Sequence, residues 1–163
     1  MKVNQGFSMG YLFDDKAERI VMIQKIRPNW QAGYWSVPGG HIEAGEEALD
    51  CVVREFEEEA WLRIPPNSWK TFAVLWRPQP LADGMVMVHC FRAFTRHLDL
   101  VKTMTDETVR IFDVARLSES VPLLNSIQWL VPLALDLDPS LNPIMVPYTG
   151  LPLDQKEFRL GQR

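Results

Sequence analysis

Between positions 49 and 60 the apolar residues Leu49, Val52, Val53, Phe56 and Ala60 recur at i, i+3, i+4, i+7 and i+11. This spacing draws one stripe along an α-helix and predicts a helix from Glu46 to about Ala60. With Leu49 at 0° and roughly 100° per residue, the stripe covers roughly 300° to 40°. Glu55 then falls at roughly 240°, Glu59 at roughly 280° and Glu58 at roughly 180°. The three carboxylates share one flank, beside the buried stripe. Like charges at i, i+3 and i, i+4 repel and weaken a helix. A cation should offset that repulsion, and clustered oxygen ligands suit Mg²⁺ or Mn²⁺. Arg54, four residues before Glu58, can pair with it or orient Glu55.

The charge is concentrated in the same region. Positions 43–59 hold Glu43, Glu46, Glu47, Asp50, Glu55, Glu57, Glu58 and Glu59 against Arg54 alone, within a chain of net charge −4. The remainder is therefore mildly basic, and such bipolarity suits a cation bridging to an anionic ligand. The net acidity argues against general nucleic-acid binding, which needs a basic surface. A chain of 163 residues suggests one domain, 1–163, with a tail over 136–163 carrying Pro139, Pro143, Pro147 and Pro152. No apolar run reaches the roughly 20 residues that span a bilayer. The first ten residues lack a signal-peptide pattern. Two cysteines, Cys51 and Cys90, imply no disulfide framework. These features predict a cytoplasmic protein.

Around the helix the pattern turns to strands. Gly6–Phe13 and Arg19–Ile26 flank Asp14-Asp15 as a hairpin. Tyr34–Val37, Trp69–Trp76, Met85–Thr95 and Val109–Val114 read as further strands, and Pro38-Gly39-Gly40 as a turn. The loop Arg77–Gly84 carries Pro78 and Pro80. Asn125–Leu135 reads as a second helix, with Asn125 as N-cap, Gln128 completing a capping box, and Pro132 predicting a kink or an early stop. Strands on both sides of a central helix predict an α/β (α+β) fold, a mixed β-sheet sandwiched between α-helices. A carbonyl at Gly39-Gly40 could add an oxygen ligand.

Gly40, Glu46, Arg54, Glu55, Phe56, Glu58, Glu59 and Leu62 resemble the box of the Nudix hydrolase family: Gly, five residues, Glu, seven residues, Arg-Glu-apolar-any-Glu-Glu-any-Gly-apolar. The box covers 40–62, and Pro38-Gly39 before it is also typical. Trp61 stands where the family has glycine. That glycine ends the helix in a left-handed conformation, which costs other residues about 1–2 kcal/mol. The helix is therefore expected to run on, or to end differently, near Arg63.

The resemblance implies the Nudix fold and a pyrophosphohydrolase in which water attacks phosphorus. Glu55, Glu58 and Glu59 would hold Mg²⁺ or Mn²⁺, with the Gly39 carbonyl and Glu107 as further ligands. Glu55 or Glu107 would be the base and Arg54 would assist. Lys25, Arg27, Trp30, Gly40, His41 and Asn125 are candidate substrate contacts. Plain alternatives stand beside these: solvated strand ends for Lys25 and Arg27, a core place for neighbouring Trp35, an exposed loop for His41, a helix cap for Asn125, and a turn for Glu107. The implied partner is a nucleotide-like small molecule, with a homodimer and a monomer both open.

The substrate is expected among nucleoside triphosphates, oxidised ones included, or nucleotide sugars. Arg27-Pro28 and Gly33–Gly40 are similar to enzymes of the GDP-mannose type, which lack one metal glutamate retained here. ADP-ribose and dinucleoside polyphosphates are the alternatives, and a non-catalytic nucleotide-binding domain the alternative of another class.

Overall fold

The structure is a computed structural model that describes residues 2–79, 83–136, 138 and 142–148. Its strands are β1 (Val3–Asp14), β2 (Arg19–Gln24), β3 (Trp35–Ser36), β4 (Gly39–His41), β5 (Lys70–Pro78), β6 (Met85–Thr95), β7 (Val109–Asp113) and β8 (Ile144–Pro147). The helices are α1 (Ala48–Ala60), α2 (Leu117–Ser120) and α3 (Asn125–Asp136). The strands form one mixed sheet in the order β3-β2-β1-β6-β5-β8, with β4 pairing β1 and β7 pairing β2. β1 runs parallel to β6 through most of its length, and forms the expected hairpin with β2 through Phe13 and Ile20.

Alternation along β1 sorts its side chains to two faces. Tyr11 and Phe13 join Ile20, Met22, Leu75, Ile127 and Leu130 in a core under α3. Leu12 joins Val21, Val52, Phe56, Trp69 and Phe91 in a second core under α1. The mixed sheet thus lies between helices, as the sequence predicts. α1 approaches β1 so closely that a Cβ on Gly10 would meet Phe56 at 2.9 Å and Val52 at 3.1 Å. Ser8 Oγ fixes the start of α1 by donating to the Ala48 carbonyl at 2.7 Å.

Several local expectations are corrected. Gly39-Gly40 is not a turn: it lies in β4, paired antiparallel with Ser8 and Met9. A Cβ on Gly39 would run into the Ser8 carbonyl, so glycine serves close strand approach here. Helix α1 does not run on. It stops at Ala60, with Trp61 in the left-handed region at φ 68° and ψ −10°. The Trp61 N–H donates to the Glu57 carbonyl at 3.0 Å, while Lys102 and Met104 N–H groups reach the Ala60 and Glu59 carbonyls. These bonds satisfy the helix end and offset the left-handed cost. Lys102 Nζ also lies 5.5 Å from the centre of the Trp61 ring.

Asn125 is the first residue of α3 and not its cap. The helix passes Pro132 without stopping early, held on both sides of it by buried Leu130, Val131 and Ala134. Part of the proline-bearing tail forms β8, an edge strand parallel to β5 from Ala73 to Trp76. Pro80, Pro139 and Pro152 lie outside the described residues. Among the described residues no helix is long and apolar enough to cross a membrane.

Candidate active site

The flank of α1 faces β4. Glu59, next to the apolar stripe, is buried, and its Oε1 accepts the Gly39 N–H at 2.9 Å. Its carboxyl is pushed up to about 7. Burial is the main cause, reinforced by Glu55 and Glu107 and opposed by the Gly39 N–H and Lys25. Glu55 packs against Gly40 so tightly that a Cβ there would collide with its carboxylate. Glu58, further round the helix, leaves its side chain 57% exposed.

Arg54 gathers this cluster. Its Nη1 lies 2.8 Å from Glu55 Oε1 and 3.2 Å from Glu58 Oε2. Nε and Nη2 donate to the two oxygens of Glu46 at 2.7 and 3.0 Å. The Arg54 hydrogen bonds are the chief cause holding the Glu46 carboxyl down at about 2, against an opposing effect of burial. Glu46 also accepts the Glu43 N–H, closing the loop before α1.

From the opposite side comes the segment before β7. Glu107 is buried; Oε1 pairs with Lys25 Nζ at 2.8 Å and Oε2 accepts the Ile26 N–H at 2.9 Å. Next to it Asp106 pairs with Arg27. Glu107 and Lys25 are therefore held at the end of β2, near enough to Glu59 to act on its charge.

A cavity of about 520 Å³ opens at this junction, where Lys25, Gly39 and Gly40 line it. Its floor is the sheet face carrying Met9, Tyr11, Leu75, Val88 and Cys90, and α3 covers it through Asn125, Ile127 and Leu130. Arg27, Trp30 and Tyr34 also line it, both aromatics being half exposed. The volume and apolar walls suit a small organic ligand. Burial pushes the Cys51 thiol up to about 11 and the Cys90 thiol up to about 12, so neither is ionised at neutral pH.

The structure thus brings Arg54, Glu55, Glu59, Glu107, Lys25, Gly39 and Gly40 together, with Glu58 on the outer side. Arg27, Trp30 and Asn125 line the adjoining cavity. His41 is not brought to the cavity: its ring packs edge-on against Phe7, 5.1 Å between centres. Sequence reasoning missed the floor residues, although the alternation in β1 that buries Tyr11 was a usable signal. The Lys25–Glu107 pair, 82 positions apart, had no local signal.

Among the described residues, no three His, Cys, Asp or Glu side chains converge as a ready metal cage. The donor set nevertheless fits a hard divalent ion, because it is all oxygen. Glu59 is in keeping with that fit: it is buried beside acidic neighbours, which raise its carboxyl further, and added positive charge would relieve it. Fitting an ion requires Arg54 to yield on Glu55 and Glu58.

Comparison with known proteins adds to this geometry. The family model for the NUDIX domain matches residues 5–130. The m7GpppN-mRNA hydrolase NUDT17 of Xenopus laevis is 40% identical over 58 residues, which is 34% of this chain and 19% of that protein. The Nudix hydrolase YvcI of Bacillus subtilis is 38% identical over 47 residues, 29% of this chain and 27% of that protein. These matches therefore span about a quarter or less of either relative. The NUDIX domain of Shewanella oneidensis NrtR, solved with ADP ribose, superposes with a TM-score of 0.64 at 16% identity. That alignment covers 83% of this chain and 87% of the other and shows likeness of fold.

Proposed function

Since this chain belongs to the Nudix family, we propose that it is a Mg²⁺- or Mn²⁺-dependent pyrophosphohydrolase, built as a single domain over 1–163. The substrate is a nucleoside diphosphate linked to a further group: a nucleoside triphosphate, oxidised ones included, or a nucleotide sugar. The observation that carries this reading is that Gly39 and Gly40, which touch the Glu59 and Glu55 carboxylates, line the cavity together with Lys25.

Glu55, Glu58 and Glu59 would hold the ion, with Glu107 and the Gly39 carbonyl as further oxygen donors. When bound, such an ion would neutralise charge developing on a diphosphate and acidify water. The chain's own groups do the rest. Arg54 anchors on Glu46 and keeps Glu55 aimed at Gly40 until an ion replaces it there. Lys25 and Arg27 present cations to the phosphates where the cavity begins. The apolar floor takes the nucleoside and excludes water from it, with Trp30 offering its ring for stacking and Asn125 a polar contact. Glu55 or Glu107 accepts the proton of the attacking water, and the P–O–P bridge breaks with the leaving phosphate carrying the electron pair.

The test is release of phosphate or pyrophosphate from a panel of nucleotides with Mg²⁺, with Glu58→Gln as control. The panel includes nucleotide sugars, ADP-ribose, dinucleoside polyphosphates and a capped RNA fragment. Turnover of one class, lost about 10³-fold in Glu58→Gln, is the expected result. Equal inactivity of both proteins, with equal nucleotide binding, would identify a non-catalytic binding domain instead.

A further inference from the structure

We propose that Lys25 stands in for a divalent ion at Glu107 in the free chain and passes to the substrate's diphosphate on binding, coupling the two ligands. The inference rests on the hydrolase reading above. Glu107 is buried, and a buried carboxylate without a counter-charge is costly. Lys25 meets that need: Nζ lies 2.8 Å from Oε1, with its side chain 20% exposed. The other oxygen is fixed by the Ile26 N–H at 2.9 Å. Oε1 is therefore the exchangeable position, and Lys25 occupies it.

Lys25 also lines the cavity beside Gly39 and Gly40, so a diphosphate entering there meets the same ammonium group. An ion on Glu107 and the Lys25 ammonium repel strongly at short range in a poorly solvated site. Arrival of the ion pushes Lys25 off Oε1, and a phosphate oxygen offers it a new partner. Each ligand then eases binding of the other by the same factor. Arg54 differs here. It keeps two bonds to Glu46 when it leaves Glu55 or Glu58. For Lys25, among the described residues, Glu107 is the carboxylate within salt-bridge reach. Lys25 therefore stays displaced only when an anion receives it.

The experiment is Mn²⁺ binding to the full chain, read from the paramagnetic signal of free ion, alone and with methylenebisphosphonate. That probe is a diphosphate analogue without a cleavable bridge, and its own affinity for Mn²⁺ is subtracted from a protein-free titration. The probe should tighten Mn²⁺ binding to the unaltered chain by about tenfold. Lys25→Gln should bind Mn²⁺ alone about fivefold more tightly and lose the enhancement to below about twofold. Lys25→Arg, which keeps the charge, should retain it. If Lys25→Gln fails to fold, Lys25→Gln/Glu107→Gln leaves no unpaired charge and should lose the enhancement too. A Lys25→Gln protein, or that double variant, with the enhancement intact overturns the proposal while leaving the hydrolase reading standing. Failure of the unaltered chain to bind Mn²⁺ in either condition overturns both.

Discussion

Gly39 donates its N–H to Glu59 Oε1 across the gap between β4 and α1, at 2.9 Å. One residue on, Gly40 lies against the Glu55 carboxylate. The two glycines thus act on two different glutamates: one holds a carboxylate in place, the other leaves room for one. Both effects depend on β4 lying beside β1, because that pairing sets the height of the glycine backbone over the helix.

Gly40→Ala should therefore damage activity more than stability. The added methyl meets the movable end of Glu55, not backbone. We expect kcat to fall by about tenfold or more, the order of loss for a misplaced electrostatic group, with the melting temperature within a few degrees of the parent. Unchanged kcat would remove Glu55 from the reaction.

Trp61→Gly should stabilise the protein slightly. Glycine adopts φ 68° without the left-handed cost of about 1–2 kcal/mol. It forfeits the Lys102 contact, worth about 0.5–1 kcal/mol. A net gain of about 0.5–1 kcal/mol would raise the melting temperature by about 1–4 °C. A fall of several degrees would show that the exposed indole contributes more than its one cation contact.

Acid stability should carry the signature of Glu46. Its carboxyl lies at about 2 when folded, below the ordinary 4.5, chiefly through the Arg54 hydrogen bonds. A lowered carboxyl binds fewer protons folded than unfolded, so its stabilisation is complete above about 4.5 and drains away towards pH 2. Urea unfolding between those limits should show stability falling with pH, and Glu46→Gln should flatten that slope. Equal slopes in the two proteins would assign the acid sensitivity to other carboxylates.

The helical period put the three box glutamates on one flank, and the structure separates them by depth. Glu59, nearest the stripe, is buried, whereas Glu58, on the far side of Glu55, is half in water. The strands β1, β2, β5 and β6 were legible as apolar runs bounded by turn residues, and each holds a stretch buried on both faces. Trp61 was misread because a local cost was weighed without the distant Lys102 and Met104 N–H groups that satisfy the helix end. Gly39-Gly40 was misread because two glycines suit a turn and a close strand pairing equally. Lys25 against Glu107, and Cys90 and Tyr11 in one cavity floor, arise from β2 meeting the segment before β7 and from β1 meeting β6. Such pairings are properties of the sheet order and leave no mark in a local window of sequence.

The central claim is that the flank of α1 binds divalent ions against a diphosphate. Its most direct measurement is anomalous scattering from crystals of the full chain grown with Mn²⁺ and methylenebisphosphonate. The account predicts Mn²⁺ density within about 2.0–2.3 Å of oxygens of Glu55, Glu58 and Glu59, with Arg54 withdrawn onto Glu46. Mn²⁺ bound elsewhere, with Arg54 still bridging Glu55 and Glu58, would contradict it.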